Sequence, residues 1–407
     1  MPLNMSADNL IDKTNNAVEK FVSWHRGFGD YSYDRMDFFS SRPGILTKRL
    51  FYKNKLLGAP FAAFALAQET LAPSLLKLYA KPRREAIGDG HFAKGYLNLY
   101  ELTGDKAYLE KAETYLKALK QSSCKGYSGH CWGYTFTWET AAGLWPMGTP
   151  LITITPYPFW AFKKHYELTS NQESLEICKS TAEFALNDLK SYKAPNGTTC
   201  TSYSPIDDRW IANANTYRAA LLLDAYSLFG EERYREAAGK NIEFVLSYQG
   251  EEGEWDYEVV GDKDRFIDNF HTCFVLRNLY VAYKVNKDPK LLASIEHGYK
   301  YYRKELFRED KTPLHFSKIQ YNKLRKYEMY DYAEGIKLGA LLKDEIDGAF
   351  EFSEILVYDL INRFQLKDGH FATRVTSFGN VHKVPYLRWP QAQLFCALTE
   401  YLLVKKG

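Results

Sequence analysis

The chain has 407 residues with a globular composition, 45% hydrophobic and 25% charged, which is enough for two domains or one large ring. Lysine and arginine number 53 against 50 acidic residues, a formal balance of +3 that argues against a dedicated nucleic-acid binder. Aromatic residues make up 16%, a share that suits either a carbohydrate cleft, where rings stack on sugar faces, or a tyrosine-rich helical core.

The first residues, MPLNMSADNLIDKTNN, show no basic segment followed by an apolar run, so no signal peptide is read. The run NLIDKTNNAVEKFVSW at 9–24 is amphipathic. LLGAPFAAFALA at 56–67 is the most apolar stretch, too short to span a bilayer and interrupted by Pro60. It reads as a packed core helix, with an interfacial patch and hence peripheral membrane contact as the alternative.

From residue 90 onward an apolar helix, a short polar turn and an amphipathic helix recur: 90–120, 157–189, 215–248, 270–306 and, more weakly, 330–364. A single helix at 388–405 comes last. The first helix of each pair is apolar almost all round and the second on one face, which puts the first inside and the second outside. The unpaired sixth inner helix would take the 9–24 run as its outer partner. The expected fold is therefore an all-α, six-hairpin (α/α)6 toroid in a single domain over 1–407, with 1–85 as an N-terminal extension that closes the ring. An open helical solenoid is the competitor, since it shares the hairpin repeat.

Loops leading into the inner helices carry the unusual chemistry: GHCWGYTFTWET (129–140), TSYSPIDDRWIANAN (201–215), GEWDYEVVGDKDRFIDNFHT (253–272), KYEMYDYAEG (326–335) and VPYLRWPQAQ (384–393). Their convergence would line one pocket with rings and titratable groups. His271, Asp268, Tyr330, Asp331 and Tyr134 are the candidate catalytic residues. Trp132, Trp138, Tyr203, Asp208, Trp255, Tyr257, Asn269, Arg388 and Trp389 are the candidate substrate-binding residues. Each also has a structural reading. Asp268 and Asn269 are good helix caps, Asp207 and Asp208 turn formers, Tyr330-Asp331 a cap, and Trp255 and Tyr257 loop anchors. Arg388 sits poorly for a helix dipole, which favours anion binding.

CWGYTFTW, SYSPIDD, GEWDYE, DNFHTCFVLRNL and YLRWPQAQLFCAL, in that order, resemble a bacterial and archaeal family of six-hairpin toroid proteins found among polysaccharide-biosynthesis genes. DYSYDRMDFFSSRPG resembles that family's early Y-D segment, and Thr137 stands where an acid is usual in the WGY-x-F-D-W pattern, with Glu139 two residues on. The resemblance implies the toroid fold and a glycan context. Some members carry an aminolevulinate dehydratase label, a chemistry that calls for a β/α barrel and an active lysine. The last loop and helix resemble, more weakly, the C-terminal helical domain of glucuronyl C5-epimerases.

Acid–base proton transfer on a uronate-containing glycan, such as C5 epimerisation, is the leading expectation, because the loops are rich in Tyr, His and Arg. A hydrolase or lyase using a carboxylate pair drawn from Asp34, Asp208, Asp268 and Asp331 is the first alternative. A non-catalytic glycan-binding or scaffold toroid is the second. No metal or nucleotide cofactor is expected: there is no H-E-x-x-H, EF-hand, P-loop or GxGxxG, and the six cysteines form no C-x-x-C pair. Reduced thiols and the absent signal peptide point to the cytoplasm. The expected partner is a glycan, not nucleic acid, and the oligomeric state stays open.

Overall fold

The computed structural model describes residues 7–140, 143–261 and 265–406. Helix α1 (Ala7–Phe28) buries Leu10, Ala17, Val18 and Phe21, one helical stripe. Three shorter helices follow, α2 (Asp37–Ser40), α3 (Arg42–Lys53) and α4 (Lys55–Leu71). The Ser41 and Asn54 side chains accept the Gly44 and Leu57 N–H groups and so start α3 and α4.

The hairpins then run α5 (Ala86–Thr103) with α6 (Lys106–Ser122), α7 (Pro156–Thr169) with α8 (Gln172–Asn187), and α9 (Ala212–Phe229) with α10 (Glu232–Ser247). After them come α11 (Asn269–Asn286) with α12 (Pro289–Glu305), α13 (Met329–Leu341) with α14 (Ala349–Phe364), and α15 (Ala392–Lys406). The odd-numbered members from α5 to α15 pack on one another in sequence, and α15 packs back on α5. The ring is closed. That excludes the open solenoid and makes the fold an (α/α)6 toroid. Helix α1 lies against α14 and α15, in the outer position the last hairpin lacks.

Inside and outside follow the sequence pattern. Fourteen residues of α9 are buried but only six of its outer partner α10, so α9 is covered on all sides and α10 along one stripe. Each inner helix from α5 to α11 stops at one left-handed residue: Gly104, Ser170, Gly230 and Lys287. Asp105, Asn171 and Asp288 then cap α6, α8 and α12 through their side chains.

Four of the five links from an outer helix to the next inner one carry short antiparallel strands among the described residues, the α10–α11 link being the exception. Strand β1 (Trp138–Thr140) pairs with β2 (Gly143–Trp145), and β3 (Ser191–Lys193) with β4 (Thr199–Thr201). Strands β5 (Arg325–Glu328), β6 (Arg374–Thr376) and β7 (Val381–His382) form a three-stranded sheet in that order.

The stretch at 56–67 departs from expectation. Instead of packing as a core helix, α4 turns Leu56, Leu57, Phe61 and Phe64 to the surface and buries Gly58, Ala65 and Gln68. Among the described residues no helix is long and apolar enough to cross a membrane.

Candidate functional site

A cavity of about 440 Å³ opens where the inner helices begin. Its walls come from the segments that precede α7, α9, α11, α13 and α15, joined by residues of the α2–α3 region. Tyr134, Phe136, Trp138, Tyr203, Tyr257, Phe266, Phe270 and Trp389 supply aromatic surface. Arg35, Lys48, Arg209, Arg325, Arg374 and Arg388 supply cations, and Glu328 is the lone carboxylate among the described lining residues. An anion is the natural occupant of such a wall.

His271 enters from the first turn of α11. Asp268, the N-cap of that helix, accepts the His271 backbone N–H through Oδ1 (2.9 Å) and bonds its Nδ1 through Oδ2 (2.7 Å). One carboxylate thus starts the helix and fixes the ring. With Nδ1–H committed to a carboxylate, the lone pair of a neutral imidazole sits on Nε2. The ring is held among Phe270 (centroids 4.2 Å apart) and Tyr257 (4.6 Å).

A second imidazole, His315, faces the same cavity. The loop after α12 lies along the start of α11, where Asn269 N–H donates to the His315 carbonyl (2.9 Å). The Asn269 side chain donates to the Leu306 and Leu314 carbonyls (3.0 and 3.2 Å) and so ties that loop down. His315 Nδ1 lies 2.9 Å from Asp331 Oδ2. Burial, helped by Arg325, drives the His315 pKa down to about 3. Burial together with Glu328 and Asp268 pushes Asp331 well above the carboxylate range. A protonated Asp331 donates to Nδ1, which leaves Nε2–H of His315 as a donor. Phe270 stands between the imidazoles, its centroid 5.6 Å from the His315 ring.

Glu328 is pinned. Arg35 lies 3.1 Å and Arg325 3.6 Å from its oxygens, and Trp389 Nε1 donates to it (3.2 Å). Burial would raise this carboxyl, but Arg35, Arg325 and His315 outweigh it and hold it below its usual range. Trp389 lies over Tyr330 (centroids 4.0 Å apart), with the Arg35 guanidinium 5.4 Å from its ring. Burial brings the Lys48 ammonium down to about 8 against the opposing pull of Glu139.

Not every sequence-derived candidate reaches the cavity. Tyr134, Trp138, Tyr203, Tyr257, His271, Arg388 and Trp389 line it. Asp268 and Asp331 stand behind the two imidazoles, and Asn269 serves the backbone. Tyr330 is buried beneath Trp389, outside the wall, and burial pushes its phenol, like those of Tyr134 and Tyr203, above the usual range. Trp132 and Trp255 are core residues, each donating Nε1–H to a backbone carbonyl, Leu119 and Val245 (2.8 and 2.9 Å). Asp208 is exposed and off the cavity, while Asp207 forms the turn by accepting the Tyr203 and Ser204 N–H groups. Arg388 already holds a carboxylate of this chain, Asp34, through Nε and Nη2 (2.5 and 2.7 Å). His315, Arg35, Lys48, Arg209, Arg325, Glu328 and Arg374 were not singled out from sequence. Arg209 and Glu328 lie within two of the quoted loops, whereas His315 sits in PLHFS with no cap or repeat signal.

No family model and no curated protein matches this chain. Solved structures match it by shape. An unsaturated glucuronyl hydrolase specific for heparin superposes with a TM-score of 0.65 at 13% identity, covering 99% of each chain. A possible GH105 member from Salmonella enterica serovar Paratyphi A gives 0.62 at 12% identity over 99% of this chain and 96% of its own. A cellobiose 2-epimerase from Bacillus thermoamylovorans gives 0.59 at 13% identity over 80% and 88%. At such identities the likeness concerns the toroid fold.

Proposed function

We propose that this cavity carries out acid–base chemistry on an anionic sugar residue of a glycan, with C5 epimerisation of a uronate unit as the reaction the geometry supports best. The observation that carries the reading is the pair of imidazoles, His271 and His315, each backed by an aspartate and set in one cationic, aromatic wall.

His271 Nε2 takes the proton α to the carboxylate, and Asp268 stabilises the imidazolium that forms. His315 delivers its Nε2 proton to the other face while the Asp331 carboxyl proton passes to Nδ1, so that the imidazole stays neutral and Asp331 becomes the carboxylate. Arg325 and Arg374 hold the substrate carboxylate and stabilise the enolate-like charge. Trp138, Tyr257 and Trp389 stack on the sugar rings. Similarly shaped proteins named for glucuronyl hydrolysis and sugar epimerisation support a carbohydrate role.

Hydrolysis needs two carboxylates across the scissile bond, and the wall offers Glu328 alone among the described residues. Elimination is the second reading, because proton removal by the same base can end in loss of the C4 substituent.

Incubation with uronate polysaccharides in D₂O, followed by proton NMR, tests the proposal. Deuterium appearing at C5 without chain shortening supports epimerisation. Ultraviolet-absorbing ends would assign elimination, and new reducing ends without them would assign hydrolysis and overturn the two-imidazole mechanism.

A further inference from the structure

The surface beside the cavity presents a second kind of chemistry. Helix α4 is amphipathic in the inverse of the usual sense: it buries small or polar residues and faces its largest apolar ones outward. Gly58 makes this possible, since a Cβ there would lie 2.2 Å from the Phe51 Cα, so α3 and α4 approach backbone to backbone. Outward stand Leu56 (87% exposed), Leu57, Phe61 and Phe64 (65%), with Leu46 of α3 and, after α4, Leu78 (80%). A helix face that exposes several large apolar side chains in this way marks a docking site.

The charge around it has one sign. Residues 42–81 hold seven Lys and Arg against one acidic residue, although the whole chain balances at +3. Arg42, Lys53, Lys55, Lys77 and Lys81 are exposed and flank the apolar side chains.

We infer that α3, α4 and the turn after them dock the protein on an anionic lipid bilayer, lying in the headgroup plane. Leucine and phenylalanine enter the acyl boundary while the flanking lysines and arginines meet anionic headgroups. A second copy of the chain fits the face less well, because a two-fold contact would bring these same cations together. Lys48 and Tyr52 of α3 also line the cavity, so the docked face and the cavity share a helix. The docking is independent of the reaction the cavity performs.

Flotation of the full chain with vesicles of phosphatidylcholine and phosphatidylglycerol in equal amounts, and with phosphatidylcholine alone, tests the inference. Binding is expected to the mixed vesicles and to fall as salt rises. Lys53→Gln with Lys55→Gln should weaken it about 30-fold, at roughly one surface charge each. Leu56→Ser with Phe61→Ser and Phe64→Ser should abolish it with an unchanged circular dichroism spectrum, because these side chains are exposed. A Leu56→Trp variant should show blue-shifted fluorescence on the mixed vesicles. Absence of binding, or equal binding to both vesicles by every variant, overturns the inference. So does self-association in analytical ultracentrifugation that the triple Ser variant abolishes while wild type ignores vesicles; the face would then belong to a second copy.

Discussion

Asp268→Asn separates the two tasks of one side chain. Asparagine caps helices about as well as aspartate, so its carbonyl keeps the His271 backbone N–H and stability should fall by less than about 1 kcal/mol. Its amide N–H₂ then faces His271 Nδ1, which becomes an acceptor, and the ring proton moves to Nε2. The lost charge-assisted bond accounts for about 1.5–3 kcal/mol, roughly 10- to 150-fold. The wrong tautomer adds to this, for a total loss of C5 exchange of about 10⁴-fold. Two readouts check it: deuterium incorporation from D₂O, and the ¹⁵N shifts of the His271 ring, which need no substrate. Exchange within tenfold of wild type, or an unprotonated Nε2 in the variant, would refute the orienting role of Asp268. Loss of folding would show that the carboxylate is chiefly structural.

Further expectations concern binding, packing and pH. Arg325→Gln should raise the Kd for a uronate oligosaccharide by about 10- to 150-fold, the worth of one charged hydrogen bond, and leave a neutral analogue unchanged in calorimetry. Trp132→Ala should cost about 3–5 kcal/mol in urea denaturation, whereas Trp138→Ala should cost far less and weaken glycan binding instead. Burial, with Lys111 and Arg84 nearby, outweighs Asp30 and holds the His25 pKa at about 3 against 6.5 unfolded. The unfolded chain therefore binds the extra proton between those values, and stability from this group falls as pH drops through that window. His25→Phe should flatten the slope there by up to about 1.4 kcal/mol per pH unit; an unchanged slope would show that the imidazole is not kept neutral.

The hairpin order was readable because inner and outer helices differ in how much surface they bury, and periodicity reports that directly. Asp268 was readable too, since a cap three residues before His271 in a helix start has one geometry. Trp132 and Trp255 were misread as sugar platforms because an indole that donates to a core carbonyl and one that faces a cavity look alike in sequence. The cationic wall was invisible for a different reason. Arg325 and Arg374 are brought together by the β5–β6 pairing on either side of the α13–α14 hairpin, and Arg35 reaches the same cavity from the segment before α2. His315 is placed by the backbone bond from Asn269, a contact across 46 positions that no local pattern announces. Hydrophobicity alone does not say which way a helix faces, so the 56–67 stretch reads as core in sequence while α4 turns it to the surface.

Closure of the ring by α1 also sets a schedule. Its apolar stripe is covered by α14 and α15, about 320 residues further along the chain, while Phe21 also stacks on Phe92 of the nearer α5. At about 5–20 residues per second, α1 waits on the order of tens of seconds on the ribosome for its partners. Until then the Leu10 and Val18 end of the stripe lacks the helices that bury it in the folded chain, for a period fixed by topology and not by stability.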